Sequence, residues 1–208
     1  MNIDIKQNIP EELSHLTLMT KSNMKSFIAT LSDAFAGYPQ IDLILGSKAA
    51  QGTLRTFWNA VLHAQKPDTF ILADSPDVHG VLIVSKAQDA GTKTLPFLLN
   101  GGIKLLPHIP IILSYETYTE KIQNKHIGKD TWYIFTFAVE KSFQGKHIAS
   151  ALMRPFLDFL DRTGSSCYLE THNAKNVPIY EHYGFSVIET GTVPHSSLTH
   201  YAMMRNRQ

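Results

Sequence analysis

The sequence predicts a single mixed α/β domain. Three observations carry that expectation: two amphipathic helical patterns lead the chain, an apolar strand pair follows, and a strand–loop–helix–strand run dominates the second half.

In the first pattern Met24, Phe27, Ile28, Leu31 and Phe35 fall on one stripe. Spacings of three and four residues bring side chains to one helix face. Ser22 or Asn23 is available as a cap, and Gly37-Tyr38-Pro39 ends the segment. The second pattern puts Leu54, Phe57, Trp58, Val61 and Leu62 on one face and stops near Pro67. TFILAD (69–74) and VHGVLIVS (78–85) read as paired strands joined through Ser75-Pro76-Asp77. Residues 95–113 are long and apolar, and a polar helix is expected around Tyr115 to Asn124. TWYIFTFAV (131–139) is β-rich. Residues 147–162 read as a helix with Ile148, Leu152, Phe156, Phe159 and Leu160 inward. Pro155 removes one backbone donor there and is expected to bend it. CYLET (167–171) is a further strand, 176–183 a short helix, and GFSVIET and THYAMM closing strands. No repeat, low-complexity tract or linker divides the chain, so residues 1–208 read as one domain.

Composition narrows the function classes. Hydrophobic residues make up 43% and charged residues 18%, a globular balance. A formal net charge of +1 gives no electrostatic footprint for nucleic acid or a membrane surface. Lys104, Asn100, Gly101-Gly102, Pro107 and Pro110 interrupt the 95–113 segment, which favours a core or lid role over a membrane span. One cysteine excludes an intrachain disulfide and a multi-cysteine zinc site. The polar start, MNIDIKQNIPEEL, has no apolar signal core. A cytoplasmic, reducing compartment is the simplest expectation.

The richest stretch is FAVEKSFQGKHIASALM (137–153), a strand end, a polar loop and a new helix. The helix start leaves several N–H groups without intrahelical acceptors, at the positive end of the helix dipole. Lys146 adds charge, so the loop suits a phosphate. Water and Gln144 satisfying the same donors is the competing account. A P-loop is excluded, because it needs glycine at Glu140 and Ser or Thr at His147.

Gln144-Gly145-Lys146-His147-Ile148-Ala149 resembles the Q/R-x-x-G-x-G/A signature of the GCN5-related N-acetyltransferases, the GNAT superfamily. Leu169-Glu170-Thr171, Asn173, Asn176, Tyr180 and Tyr183-Gly184-Phe185 resemble that family's later motif. The resemblance covers residues 131–190, the expected CoA-binding core. It implies a GNAT-like acyl-CoA N-acyltransferase fold: a central mixed, mostly antiparallel sheet flanked by helices, with strands 4 and 5 splayed apart. It implies acetyl-CoA as co-substrate, no metal, and a pantetheine arm between 131–139 and 167–171. Phe137, Ala138 and Val139 would line that arm, with backbone bonds from Phe137 and Val139. Residues 144–149 would cradle the pyrophosphate, with Asn176, Tyr180 and Tyr183 completing the cofactor site. His147 stands where the family has its central glycine. It keeps the N–H donor, and its ring must point away or lend positive charge beside a pyrophosphate.

Transfer to an amine needs a proton acceptor near the splay, because a lysine-type amine has a pKa of about 10.4. It also needs an O–H donor for the departing thiolate. Asn176, Tyr180 and Tyr183 share one helix face, and in the family the residue matching Tyr180 often faces the thioester sulfur. Tyr180 is therefore the expected acid, with core packing as the alternative use of its ring, and packing is the expectation for Tyr183. Glu170 is the favoured candidate base, acting through water, with water or backbone alone as the alternative. Glu140, His126 and His172 are lesser candidates, each with an ordinary surface role as alternative. Cys167 lies in an apolar strand, where an inert thiol is expected. Neither H-E-x-x-H nor G-x-S-x-G occurs.

The resulting expectation is an acetyl-CoA-dependent N-acetyltransferase acting on a small-molecule amine by direct transfer in a ternary complex. The acceptor pocket would draw on Phe35, Tyr38 and the 95–113 segment. The protein would be a monomer or homodimer with no nucleic-acid or membrane partner. A non-catalytic acyl-CoA-binding or sensing module on the same fold is the alternative, and a different acyl donor a third reading.

Overall fold

The computed structural model describes residues 9–47, 49–128 and 130–207. The start of the polar N-terminal stretch, residues 1–8, lies outside the described residues. Among the described residues seven strands form one sheet in the order β1-β2-β3-β4-β5-β7-β6. They are β1 (Thr17–Leu18), β2 (Phe70–Ala73), β3 (Gly80–Lys86), β4 (Thr131–Val139), β5 (Ser166–Thr171), β6 (Ser186–Thr192) and β7 (Thr199–Arg205). Every neighbouring pair is antiparallel except β4 and β5, which run parallel. The mixed, mostly antiparallel sheet expected from the sequence is the observed one.

Helices cover both faces, which is why β3 reads as a continuous apolar run rather than an alternating one. Val81 and Ile83 pack with Phe27 and Leu31 of α1 (Met24–Ala34), Ile41 and Ile44 of α2 (Pro39–Leu45), and Leu54 and Val61 of α3 (Gln51–Ala64). Leu82 and Val84 pack on the other side with Leu152, Phe156 and Leu160 of a long helix, Ile148–Thr163. Asn23 is the N-cap of α1, but its side chain serves the preceding turn, not the helix. Its Oδ1 accepts from Thr20 N–H (2.6 Å) and its Nδ2 donates to Leu18 O (3.0 Å).

β3 and β4 are antiparallel neighbours, yet residues 87–130 lie between them instead of a tight turn. This insertion holds α4 (Thr94–Leu99), a 3-10 segment (Gly102–His108) and α5 (Ile109–His126). The apolar 95–113 stretch is therefore broken into short helical pieces at its glycines. It is only partly core: Leu105 is buried and Phe97 and Ile112 pack inward, while Leu95, Leu99, Ile103, Leu106 and Leu113 are exposed. Among the described residues no helix is long and apolar enough to cross a membrane.

The long helix after β4 is α6 (Ile148–Thr163), and it runs unbroken through Pro155. It begins one residue later than the sequence suggests, because His147 takes a left-handed conformation (φ 63°) and becomes the N-cap. Its first turns sit directly on the β3 backbone. A Cβ at Gly80 would come within 2.6 Å of Ile148 Cγ2 and 2.7 Å of Leu152 Cδ1, so a larger residue there would force those side chains to shift. Arg205 of β7, buried, holds Asp161 of α6 through two hydrogen bonds of 2.6 and 2.8 Å. The short helix after β5 is α7 (Val177–His182).

Candidate active site

β4 and β5 pair only from Thr131↔Ser166 to Ile134↔Leu169. Beyond that point β4 follows β3 and leaves β5. The cause is local: Val84 faces Ile134 and Ile83 faces Thr136, so Phe135 is an extra residue on β4. Such a bulge bends its strand. The two strands consequently splay at residues 135–139 and 170–171.

The backbone orientation of the free edge follows from the ends of the β3–β4 ladder. Gly80 N–H donates to Asp74 Oδ1 (2.6 Å) and Gly80 O accepts from Asp74 N–H, so both Gly80 groups face β2. Glu140 N–H donates to His79 O (2.8 Å). Antiparallel pairs alternate between bonded and non-bonded, so Val139 and Phe137 turn their peptide groups away from β3 and into the splay. Ala138, paired with Val81, directs its own toward β3. Part of the free edge is already engaged, since Val139 O accepts from Gln144 Nε2 (3.3 Å).

The loop after β4 ends at α6. Gly145 (φ 77°) and His147 (φ 63°) are both left-handed. Histidine is among the non-glycine residues enriched in that region. His147 is exposed. Ala151 N–H makes the bond to His147 O (3.0 Å), which leaves Ile148, Ala149 and Ser150 N–H at the open end of the helix. Lys146 Nζ lies 4.4 Å from the centre of the Phe143 ring, whose other partner is the His79 ring at 3.5 Å. Glu140 is bonded to His79 Nδ1 (3.1 Å) and Ser142 Oγ (3.0 Å), a role in holding the loop. His126 is similarly occupied, by Glu189 at 2.7 Å.

Tyr180 of α7 is 8% exposed and packs its ring near Phe137 and Phe185. Burial, then the neighbouring Tyr38 phenol, holds its hydroxyl well above the ordinary tyrosine pKa, so it carries its proton at neutral pH. Asn176 Nδ2 donates to Thr171 Oγ1 (3.3 Å), and Tyr38 Oη lies 3.1 Å from the same oxygen while accepting from His172 N–H (3.1 Å). Tyr183 Oη instead reaches Ser150 Oγ in the first turn of α6 (3.1 Å).

Glu170 sits on the α5 side of β5. Its Oε1 accepts from Gln123 Nε2 (3.0 Å) and Tyr168 Oη (3.0 Å). Burial raises its carboxyl to about 7, against the pull of hydrogen bonds from Gln123, Tyr168 and Tyr133. This shell was not anticipated from sequence. The available signal was the i, i+2 spacing of Tyr168 and Glu170, which puts both on one face of a strand; Gln123 and Tyr133 arrive through tertiary packing alone. Beside them His172 Nε2 contacts Tyr115 Oη (3.2 Å) and His200 Nδ1 (3.1 Å). Burial, then His200, lowers the His172 pKa to about 3, so His172 is neutral. Cys167 is fully buried, and burial drives its thiol pKa well above the usual range.

Glu170, Tyr180, Phe137, Asn176, Tyr38 and Phe35 line one cavity of about 600 Å³ at the mouth of the splay. Its outer wall comes from α3 and from the insertion. The remaining loop residues, Gln144 to Ala149, lie at the start of α6. A splayed parallel pair, a helix start with open N–H groups, and one cavity lined by both Glu170 and Tyr180 make up a fold of the GNAT type.

Comparison with known proteins agrees. The model of the acetyltransferase (GNAT) family matches residues 108–185. An uncharacterised N-acetyltransferase of Schizosaccharomyces pombe is 32% identical over 77 residues, 37% of this chain and 30% of that protein, so the match spans less than a third of the relative. Among solved structures, a Corynebacterium glutamicum protein described as histone acetyltransferase HPA2 and related acetyltransferase superposes with a TM-score of 0.62 at 17% identity, covering 93% of this chain and 96% of that one. Arylalkylamine N-acetyltransferase 2 of Aedes aegypti gives 0.59 at 13% identity, covering 93% and 98%. At those identities the two structures establish a shared fold.

Proposed function

We propose that the protein is an acetyl-CoA-dependent N-acetyltransferase that moves the acetyl group directly to the amine of a small molecule. The observation that carries this reading is the opening of the β4–β5 splay onto one cavity holding both Glu170 and Tyr180. The residues suit the co-substrate. Phe137 and Val139 turn peptide groups into the splay, as an amide-bearing pantetheine arm requires, and the open N–H groups of Ile148, Ala149 and Ser150 suit a pyrophosphate. His147 keeps its N–H donor, takes a left-handed backbone as glycine would and is exposed, so this departure from glycine is compatible with binding.

In the reaction Glu170 takes the proton that the attacking amine loses as its nitrogen bonds the acetyl carbon. Tyr180 gives its proton to the sulfur as the carbon–sulfur bond breaks. Solvent then returns the proton from Glu170 to Tyr180. A carboxyl with pKa about 7 is half ionised at neutral pH, matched to accepting and releasing a proton in each turnover. Buried Cys167 is unsuited to an acetyl-enzyme, which supports direct transfer. The test is release of free CoA thiol from acetyl-CoA against a panel of primary amines. Amine-dependent release is expected; CoA binding without turnover on any amine would favour a non-catalytic acyl-CoA-binding module.

A further inference from the structure

Glu170 holds its carboxyl among groups that carry no charge. A carboxylate withdrawn from solvent is ordinarily matched with a cation. Here the partners are the Gln123 amide (3.0 Å), the Tyr168 hydroxyl (3.0 Å) and the Tyr133 hydroxyl. An amide and a hydroxyl each carry both a donor and an acceptor. They donate to the carboxylate and, after rotation, accept from the carboxylic acid, so this shell serves both protonation states. A lysine or arginine would serve the charged state alone. Gln123 differs from the two tyrosines in origin. Tyr133 and Tyr168 stand on β4 and β5, whereas Gln123 comes from α5 in the 87–130 insertion. The last turn of α5 is fixed to β6, because Glu189 accepts from Lys125 Nζ (2.7 Å) and contacts His126 Nε2 (2.7 Å). The Gln123 and Tyr168 bonds both fall on Oε1, which leaves Oε2 to face the cavity that Glu170 lines.

We propose that Gln123 is a positioning residue: reaching from the insertion, it holds Oε1 of Glu170 so that Oε2 meets the acceptor nitrogen, and it follows the carboxyl through both protonation states. This rests on the acetyltransferase reading and names a residue that acts through its base. The phenols around Glu170 stay protonated at neutral pH. Burial, then Glu170 itself, holds the Tyr115, Tyr133 and Tyr168 hydroxyls above the ordinary tyrosine range. Burial, then Glu189, does the same for Tyr118. The histidines beside them are neutral, since burial lowers His172 to about 3 and His200 to about 4. Glu120 and Glu116 lie about one and two turns back along α5, with Lys66 in the same cavity lining. Burial, then Glu120, raises the Glu116 carboxyl, so the Glu170 titration has to be read at its own carboxyl.

The experiment does so without a substrate. Protein carrying carboxyl-13C glutamate is titrated by NMR, and the Glu170 signal is assigned by its loss in E170Q. Q123L removes a donor to the carboxylate, so the Glu170 midpoint is expected to rise by about one pH unit, a tenfold shift in its protonation equilibrium. Q123K puts a cation in the same place, so the midpoint is expected to fall by about as much or more. Opposite shifts from two substitutions at one position separate positioning from a loss of packing. A midpoint unmoved in Q123L, or moved the same way in both variants, would overturn the inference. Where one variant fails to fold, the sign of the shift in the other decides. Amine-dependent thiol release adds a second readout: in Q123L the acidic limb of kcat/KM should rise with the carboxyl, with KM for acetyl-CoA unchanged. Shifts of the expected sign in a protein that releases no thiol with any amine would leave the Gln123–Glu170 link standing and count against the acetyltransferase reading instead.

Discussion

Replacing Tyr180 with phenylalanine is expected to lower turnover by about 10²–10⁴-fold, the range for losing a general acid, with CoA affinity unchanged. The substitution is clean because the ring, not the hydroxyl, makes the packing contacts with Phe137 and Phe185. The sulfur would then leave as an unprotonated thiolate in a buried site, where a bare charge is costly. Acceptors of higher basicity should not rescue the variant, since the defect lies in the leaving group. Steady-state turnover combined with CoA titration measures both quantities. Unchanged turnover removes Tyr180 from the mechanism; a parallel loss of CoA affinity assigns it to binding.

Glu170→Gln is expected to cost a similar factor of about 10²–10⁴ and to erase the acidic limb of the pH–rate profile. In the wild type the carboxyl must be ionised to accept a proton, so kcat/KM should fall as pH drops through about 7. Stability carries the opposite signature. Burial raises this carboxyl from 4.5 to about 7, so the folded state holds the proton more tightly than the unfolded chain. Rising pH between those values therefore removes stability, at most about 3 kcal/mol by linkage. Above pH 7 glutamine avoids that cost. E170Q should thus melt no lower than the wild type at pH 8 while being nearly inactive, and any advantage should vanish below pH 4.5. A variant that is both inactive and much less stable at pH 8 would point to a structural role for the carboxylate.

The placement of Glu170 on a strand and of Tyr180 on a short helix was legible in the sequence, and so was most of the frame around them. TWYIFTFAV gives β4 at its observed bounds because its β-branched and aromatic content leaves no competing helical pattern. Tyr180 and Glu170 could be placed because the helix and strand that carry them have local patterns. What resisted was long-range. The bulge at Phe135 that opens the splay is a register event between strands 50 residues apart, invisible to any local pattern. The short strand β1 and helix α2 lack the length for a periodic signal. The 95–113 stretch shows the limit most clearly: its apolar composition suggests burial, yet the broken backbone leaves five of its large side chains exposed. Gln123 and Tyr133 set the Glu170 environment from α5 and β4, contacts that only the folded chain creates.

His147 connects these levels. The sequence marks it as the odd residue in a phosphate loop, and the fold gives it a left-handed backbone and leaves it exposed. The loop is expected to function because N–H donors, rather than a side chain, capture the anion. Isothermal titration of the wild-type protein with CoA, beside His147→Gly, tests that most directly. The account predicts saturable binding by the wild type, with affinity in the glycine variant within a few-fold. Absence of heat with the wild type at millimolar CoA, or binding that appears only in His147→Gly, would contradict it.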